Sequence, residues 1–213
     1  MKKWLVVFSL LLMASLLNAQ DIIDIGGMKN YSIDKLEKNE SFDFKQIGTT
    51  EGFELDLIAK TSTGHERYLA KIKHFSGYKQ LCNDGKFYFS IDNHFHKKTN
   101  PDLFSELFVL DIKNGVITKI LDSLAFTVSS DGKYICYCEV YQNMKKENHE
   151  VLYWYLYDTK KNKSKVIINQ KQKNNWDVFI PKYDDKNKKF VFGIGYETTV
   201  MDTIVIDPNA IKF

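Results

Sequence analysis

The sequence predicts an all-β protein built from small antiparallel sheets that stack face to face. Segments rich in aromatic and β-branched residues recur along the chain, and Asp-Gly or Asn-Gly turns separate them. Several of these segments are apolar on both faces. Residues 151–157, VLYWYLY, show no polar alternation, so a strand there must be covered on each side. Stacked sheets offer that cover, whereas a single sheet with one wet face does not.

An internal repeat sets the size of the stacked units. A shift of 47 residues (131 minus 84) carries Asp84-Gly85-Lys86 onto Asp131-Gly132-Lys133 and also carries Asp111 onto Asp158. Two separate blocks that agree at one offset indicate a repeated supersecondary unit. In each copy the Asp-Gly turn leads into an apolar strand, and a later strand ends at the second aspartate.

Further strands follow from looser matches to this pattern. Residues 190–192 match the first block and residues 203–207 match the second. Upstream, residues 53–60 and 67–75 flank the turn Thr61-Ser-Thr-Gly64 and predict a β-hairpin. The one place after the N-terminal segment where a turn or two of helix is expected is residues 33–38.

The repeated blocks resemble those of TolB-type and WD-like β-propellers. In that family Asp-Gly joins the first two strands of a four-stranded blade, and an Asn-Gly turn such as Asn114-Gly115 joins the last two. The resemblance covers about residues 77–207, and the sequence has Asn83 and Ser130 where the family usually has proline. The family pattern implies a fold and leaves the function open.

The resemblance implies a propeller-like stack of about four antiparallel four-stranded blades within residues 20–213. The units lie near residues 20–75, 76–122, 123–170 and 171–213. Closed propellers have about four to eight blades. We expect one chain to close the ring. An incomplete propeller that pairs with another chain, and an open stack with exposed edges, remain as alternatives.

The N-terminus predicts export. Two lysines precede an apolar run from Trp4 to Leu17, and Ala19 lies just before the polar Gln20-Asp21. This run is shorter than the ~20 residues that span a bilayer. We therefore expect residues 1–19 to be a cleaved signal peptide, and the mature chain to be periplasmic or secreted, without a membrane span.

The charge balance argues against a nucleic-acid partner. The formal net charge is +3, and removal of the two lysines in residues 1–19 lowers it to +1 (28 basic minus 27 acidic residues). The chain also has a single arginine, Arg67, against 29 lysines. Phosphate backbones are bound through a basic excess, and arginine is the residue best suited to two-point phosphate contacts.

The three cysteines are expected to be buried free thiols. An odd count leaves at least one of them unpaired. Cys136 and Cys138 are two apart in a predicted strand, so both point to one face at a spacing that would strain a disulfide. Cys82 has no sequence neighbour of this type. A disulfide or a metal role remains the alternative.

Function is expected in the two segments that the repeat does not share. One insert runs over residues 93–105 and the other over residues 142–150, each after the second strand of its unit. Because strands alternate in direction, both inserts should leave the same rim of the stack. Tyr141 and Trp176 lie near strand ends on that rim, where they are candidates for stacking on a sugar ring or anchoring a peptide, although packing in the core is the favoured interpretation.

A metal site is a candidate on the same rim. Asp92, His94 and His96 share one face if their strand continues, and His149 comes from the second insert. Imidazole and carboxylate groups in this arrangement are suited to a transition metal. The competing interpretation is a polar loop whose histidines happen to alternate, in which case no cofactor is bound.

The sequence favours a binding protein over an enzyme. It has no Gly-x-Ser-x-Gly elbow and no His-Glu-x-x-His helix. Asp111, Asp158 and Asp207 recur at strand ends, where capping of turns explains them. We expect an exported, non-enzymatic module that presents its rim to a protein or cell-envelope partner. The alternative is a metal-dependent or sugar-binding rim. A binding module predicts an apolar or aromatic rim patch without convergent titratable groups, whereas an enzyme predicts His94, His96 and His149 within ligand distance of each other around a pocket.

Overall fold

The computed structural model describes residues 22–23, 29–50, 52–92, 105–123, 125–142, 150–170, 177–196 and 199–213. Within these ranges the chain forms β-strands, turns and one 3-10 helix, Pro208–Ala210, and no α-helix. The all-β prediction is therefore confirmed. The prediction of a helical turn at residues 33–38 is wrong. Ile33 directly follows a short strand and donates its N–H to the Gly115 carbonyl instead of starting a helix. No helix in the described ranges is long and apolar enough to cross a membrane.

The first sheet has eight strands and folds over on itself. Its order is β2-β8-β7-β6-β5-β4-β3, and β1 pairs in parallel with β5. The strands are β1 Ile22–Ile23, β2 Asn30–Ser32, β3 Glu40–Thr49, β4 Gly52–Thr61, β5 Glu66–Leu81, β6 Lys86–Asp92, β7 Ser105–Asp111 and β8 Val116–Asp122. The predicted hairpin is confirmed as β4 and the first part of β5.

The long strand β5 allows this sheet to fold over on itself. The first part of β5 pairs with β4 and its last part pairs with β6, with an irregularity between Phe75 and Lys79. Gly77 lies in this interval at φ 95°, a conformation that costs glycine little. The three strands β3, β4 and β5 consequently pack over one face of strands β6, β7 and β8. At this contact the ring centre of Phe44 lies 4.8 Å from that of Phe87.

The second sheet is a four-stranded meander of the type expected for a blade. Its order is β12-β11-β10-β9, with every pair antiparallel. The strands are β9 Ala125–Val128, β10 Tyr134–Gln142, β11 Glu150–Asp158 and β12 Lys163–Gln170. It packs against the first sheet through a buried cluster that includes Tyr88, Leu107, Ile135 and Tyr137. On β11, Tyr155 and Tyr157 pack toward the first sheet while Trp154 and Leu156 lie buried on the other face, so the described side chains of VLYWYLY are covered on both faces, as predicted.

The third sheet completes a face-to-face, propeller-like stack. Its strands are β13 Asp177–Val178, β14 Lys182–Asp184, β15 Lys189–Tyr196 and β16 Thr199–Ile206. β13 and β14 lie on one side of β15, and β16 lies on the other. Trp154 of the second sheet meets Phe192 of the third edge to face at 5.2 Å. Phe190 joins them in the same buried cluster.

A side-chain clamp joins the innermost strands of the first two sheets. The carboxamide of Gln80 donates to the Val128 carbonyl at 2.6 Å and accepts from the Val128 N–H at 2.8 Å. The 47-residue shift carries Gln80 onto Thr127, whose hydroxyl donates to the Pro181 carbonyl at 2.6 Å. Equivalent positions therefore reach toward the next sheet in both cases, although different side chains do so.

The repeated aspartates hold turns, as the sequence predicts. Asp84 and Asp131 accept hydrogen bonds from the N–H two residues later, at 3.2 and 3.1 Å. Asp111 accepts from the Asn114 N–H at 3.1 Å, and Asp158 accepts from two N–H groups of the following turn at 3.0 Å. Asp207 accepts from the Asn209 N–H at 2.9 Å. These short carboxylates cap local backbone donors.

The three cysteines are buried free thiols, as expected. Cys136 and Cys138 lie on one face of β10 and belong to the cluster between the second and third sheets. Cys82 belongs to the cluster between the first and second sheets. Burial raises the pKa of Cys82 and Cys138 to about 12, so these thiols stay protonated.

The described residues do not form a ring that closes within one chain, as the sequence had led us to expect. In a closed ring the outer face of the third sheet would pack against the first sheet. Instead, Val200 and Val205 on β16 are 55% and 54% exposed. In the described part of the chain, the sheets form an open stack whose last strand is uncovered.

Candidate functional site

The two inserts leave the stack at one edge. β6 ends at Asp92, opposite Ser105 of β7, and β10 ends at Gln142, opposite Glu150 of β11. At the other edge the two Asp-Gly turns touch, because Asn83 donates its N–H to the Ser130 carbonyl at 2.9 Å. Toward the other end of these strands, Asp122 of β8 and Glu139 of β10 lie close enough for their charges to interact, so the first two sheets are adjacent there as well. The edge formed by these strand ends, called the insert edge below, matches the shared rim that the sequence predicts.

Charged side chains gather just inside the insert edge. The Lys119 ammonium lies 2.5 Å from Glu106 Oε1 and 2.7 Å from Asp122 Oδ1. Glu106 is only 4% exposed. Glu139 and Tyr155, from the second sheet, extend the group next to Asp122. These five residues are called the edge cluster below.

A β-bulge explains how Lys119 reaches its partners. Glu106 and Asp122 lie directly opposite each other across β7 and β8, where two like charges would repel. The register shifts between Leu107 and Phe108, so Phe108 faces Lys119 instead of Ile120. The extra residue turns Lys119 onto the face of Glu106 and Asp122. The ammonium then neutralises the pair.

The edge cluster shifts the protonation of its members. Burial raises the pKa of Glu139, the negative charge of Asp122 adds to the rise, and a hydrogen bond with Tyr155 opposes it. Burial acts to lower the pKa of Lys119, but its hydrogen bonds to Asp122 and Glu106 outweigh burial and raise the pKa. Lys119 therefore stays charged at neutral pH, which leaves it a fixed cation rather than a base or a nucleophile.

The predicted site residues fall mostly outside the described ranges. Asp92 is described as the half-buried last residue of β6. Tyr141 lies in β10 opposite Val151, and only its backbone is described. His94, His96, His149 and Trp176 lie outside the described residues. Within those residues, no group of three or more His, Cys, Asp or Glu side chains is arranged to hold a metal ion.

The edge cluster was missed in the sequence, although a signal for it exists. Glu106 and Glu139 interrupt otherwise apolar strands, SELFVLD and YICYCEVYQ. A carboxylate inside such a strand must find a partner, because burial of an unpaired charge is costly. The described part of the insert edge thus contains convergent titratable groups rather than the apolar patch expected of a binding module.

A cleft lies at the opposite edge, between the turns. It encloses about 620 Å³ and is lined by Leu36, residues 83–86 and residues 111–114. Its polar groups already serve the turns: Lys86 pairs with Asp84 at 3.1 Å, and Asn114 donates to Asp111 at 2.7 Å. The cleft therefore follows from turn geometry and offers few free groups to a ligand.

Comparison with known proteins finds distant structural similarity only. No protein-family model and no curated protein matches the sequence. Among solved structures, the chain is similar to the tricorn protease (13% identity, TM-score 0.42), covering 83% of this chain and 20% of that one. It is also similar to the acylaminoacyl peptidase of Pyrococcus horikoshii (12% identity, TM-score 0.43), covering 82% of this chain and 32% of the peptidase.

A third similar structure is the β-propeller domain of the Trilobed protease from Pyrococcus furiosus. The identity is 12% and the TM-score 0.41, and the match covers 84% of this chain and 57% of that one. This chain thus spans less than two thirds of each of these three structures. Similarity at this level carries no argument about function, and the propeller-like stack described above is read from strand order and packing.

Proposed function

We propose that the protein is an exported, non-enzymatic binding module that presents its insert edge to a protein or another component of the cell envelope. The observation that carries the proposal is the common edge of β6–β7 and β10–β11, from which both unshared segments emerge. A repeated scaffold with two neighbouring unrepeated segments is a typical way to build a binding surface.

The edge cluster differs from the apolar patch expected of a binding module, but its charges pair with one another and do not by themselves indicate catalysis. The half-buried Lys119 neutralises the buried Glu106, and Asp122 pairs with the same ammonium. The partly exposed Asp122 and, beside it, Glu139 add further carboxyl groups to this edge. A partner with basic groups fits this edge best.

Export supports the choice of partner. The N-terminal pattern of residues 1–19 is that of a signal peptide, and we propose that the four repeat units within residues 20–213 act in the periplasm or outside the cell. The near-neutral mature charge disfavours nucleic acid as the partner.

Site-specific photo-crosslinking tests this function. A photoreactive amino acid at position 92 or 142 lies on the insert edge, and one at Lys113 or Lys160 lies in a turn of the opposite edge. In cells that export the protein, we expect a discrete cross-linked partner from the first pair of positions only. A partner captured only from the turn positions would contradict the proposal.

A metal-dependent rim is the second candidate, because Asp92 ends β6 directly before His94 and His96. In this alternative His149 completes the ligand set. Substitution of both His94 and His96 by Ala should then remove bound zinc or copper from the purified protein. Equal and low metal content before and after substitution would exclude the metal site.

A sugar-binding rim through Tyr141 and Trp176 is the remaining candidate. Aromatic faces stack on sugar rings, and Tyr141 lies one residue from the end of β10 at the insert edge. Binding of envelope glycans that is lost in Tyr141→Ala and Trp176→Ala would support it. Unchanged binding in both variants would remove it.

A further inference from the structure

The last strand of the third sheet has an open edge. β16 pairs with β15 on one side, and no described strand pairs with its other side. Three large apolar side chains of β16 are exposed: Val200 by 55%, Met201 by 64% and Val205 by 54%. The second sheet, by contrast, has a further strand, β12, at the corresponding place.

A β-bulge places two of these side chains on the same outer face. The register shifts between Ile194 and Gly195, so that Ile194 faces Asp202 while Gly195 faces Val200, with Met201 as the extra residue. Val200 therefore changes face and joins Val205. Its methyl group lies over Gly193, 2.9 Å from the position of a Cβ there. The result is an apolar stripe along a free edge.

β16 lacks the protections against pairing that the edge strands β2, β3 and β12 carry. β12 carries Lys163 and Lys165 on its exposed length, and β2 is only three residues long. β3 is charged as well, with Lys45 in an ion pair to Glu66. Charge and short length are common protections of sheet edges. β16 has eight residues, no proline, and Asp202 as its one charged side chain.

We propose that β16 is the contact surface between two copies of this chain, which join their third sheets by antiparallel pairing of β16 with its symmetry mate. A two-fold contact uses the same strand on both copies, so each open edge satisfies the other. The charges of β16 permit this pairing. If the two strands are not centred on residue 202, the Asp202 carboxylates of the two copies do not face each other. This contact is independent of the function proposed for the insert edge.

The expected affinity is modest. Stable complexes bury ~800 Å² on each partner, and a single eight-residue strand with its exposed side chains offers less. A dissociation constant in the micromolar range, about 1–100 μM, follows from such a small contact. The dimer should therefore appear and disappear with protein concentration.

Sedimentation velocity over a concentration series tests the proposal. The wild-type protein should shift from the monomer mass toward twice that mass, whereas Val205→Lys and Val200→Lys should remain monomeric. Val166→Lys is the matched control, because Val166 is an exposed valine (44%) on the lysine-bearing edge strand β12, and this variant should dimerise like the wild type. Circular dichroism checks that each variant is folded.

Hydrogen exchange provides a second readout that needs no variant. Amides of residues 199–206 should become more protected at high protein concentration, while those of residues 163–170 should not change. A wild-type protein that stays monomeric throughout the series would overturn the proposal. Dimers that persist in both β16 variants, or open-ended polymers, would overturn it as well.

Discussion

Removal of the Gln80 clamp should destabilise the whole stack. In Gln80→Ala the Val128 N–H and carbonyl lose hydrogen bonds of 2.8 and 2.6 Å, and Val128 is fully buried. A buried polar group left without a partner costs about 1–3 kcal/mol, so two of them should lower the free energy of unfolding by about 2–4 kcal/mol after partial hydration. For a chain of this size the melting temperature should fall by roughly 5–15 °C.

Urea denaturation followed by tryptophan fluorescence measures this loss. Gln46→Ala is the control, because Gln46 is exposed and makes one hydrogen bond, from Lys79, at 2.6 Å. We expect that variant to lose less than about 0.5 kcal/mol. Gln80→Glu should lose nearly as much as Gln80→Ala, since a carboxylate cannot donate to the Val128 carbonyl. If Gln80→Ala matches Gln46→Ala, the clamp does not join the sheets and the argument for it is wrong.

Three further predictions concern buried groups. Lys119→Met should remove the ammonium that neutralises the buried Glu106 carboxylate and cost about 3 kcal/mol in urea unfolding, and the added change Glu106→Gln should recover most of that loss; no recovery would contradict the pairing. The folded-state pKa of Glu139 is raised above its ordinary value of 4.5, so the stability it contributes is present below about pH 4.5 and is lost as pH rises through the raised value. Glu139→Gln should therefore be more stable than the wild type at about pH 7, with the difference closing toward about pH 4, and a difference independent of pH would refute this. The native protein should not react with Ellman's reagent until it is unfolded, because burial raises the pKa of Cys138 to about 12; fast reaction of the folded protein would show an exposed thiol.

Features that depend on neighbouring residues were predictable from the sequence. The Asp-Gly turns, the capping by Asp111 and Asp158, and the strands between them follow from local hydrogen bonding and residue type. The shared edge of the inserts also followed, since alternating strand direction and a fixed repeat determine it.

Features that depend on distant residues were not predictable. The bulge that turns Lys119 toward Glu106 arises from the register between β7 and β8, which no local pattern encodes. The length of β5 depends on Gly77, a glycine that resembles an ordinary turn residue in the sequence. Single-chain closure was expected because the repeats suggested a ring, and the exposure of Val205 became visible only with the third sheet in place.

A distance measurement between the two inserts tests the central claim most directly. Spin labels on cysteines introduced at positions 92 and 142, with the native thiols replaced by Ala, should lie about 10–20 Å apart, since stacked sheets are ~10 Å apart. Labels at positions 92 and 160 are separated by the length of β11 in addition to the spacing between the sheets. The distance between them should therefore be roughly 25–35 Å. A 92–142 distance equal to or longer than the 92–160 distance would place the inserts on different edges and contradict the account.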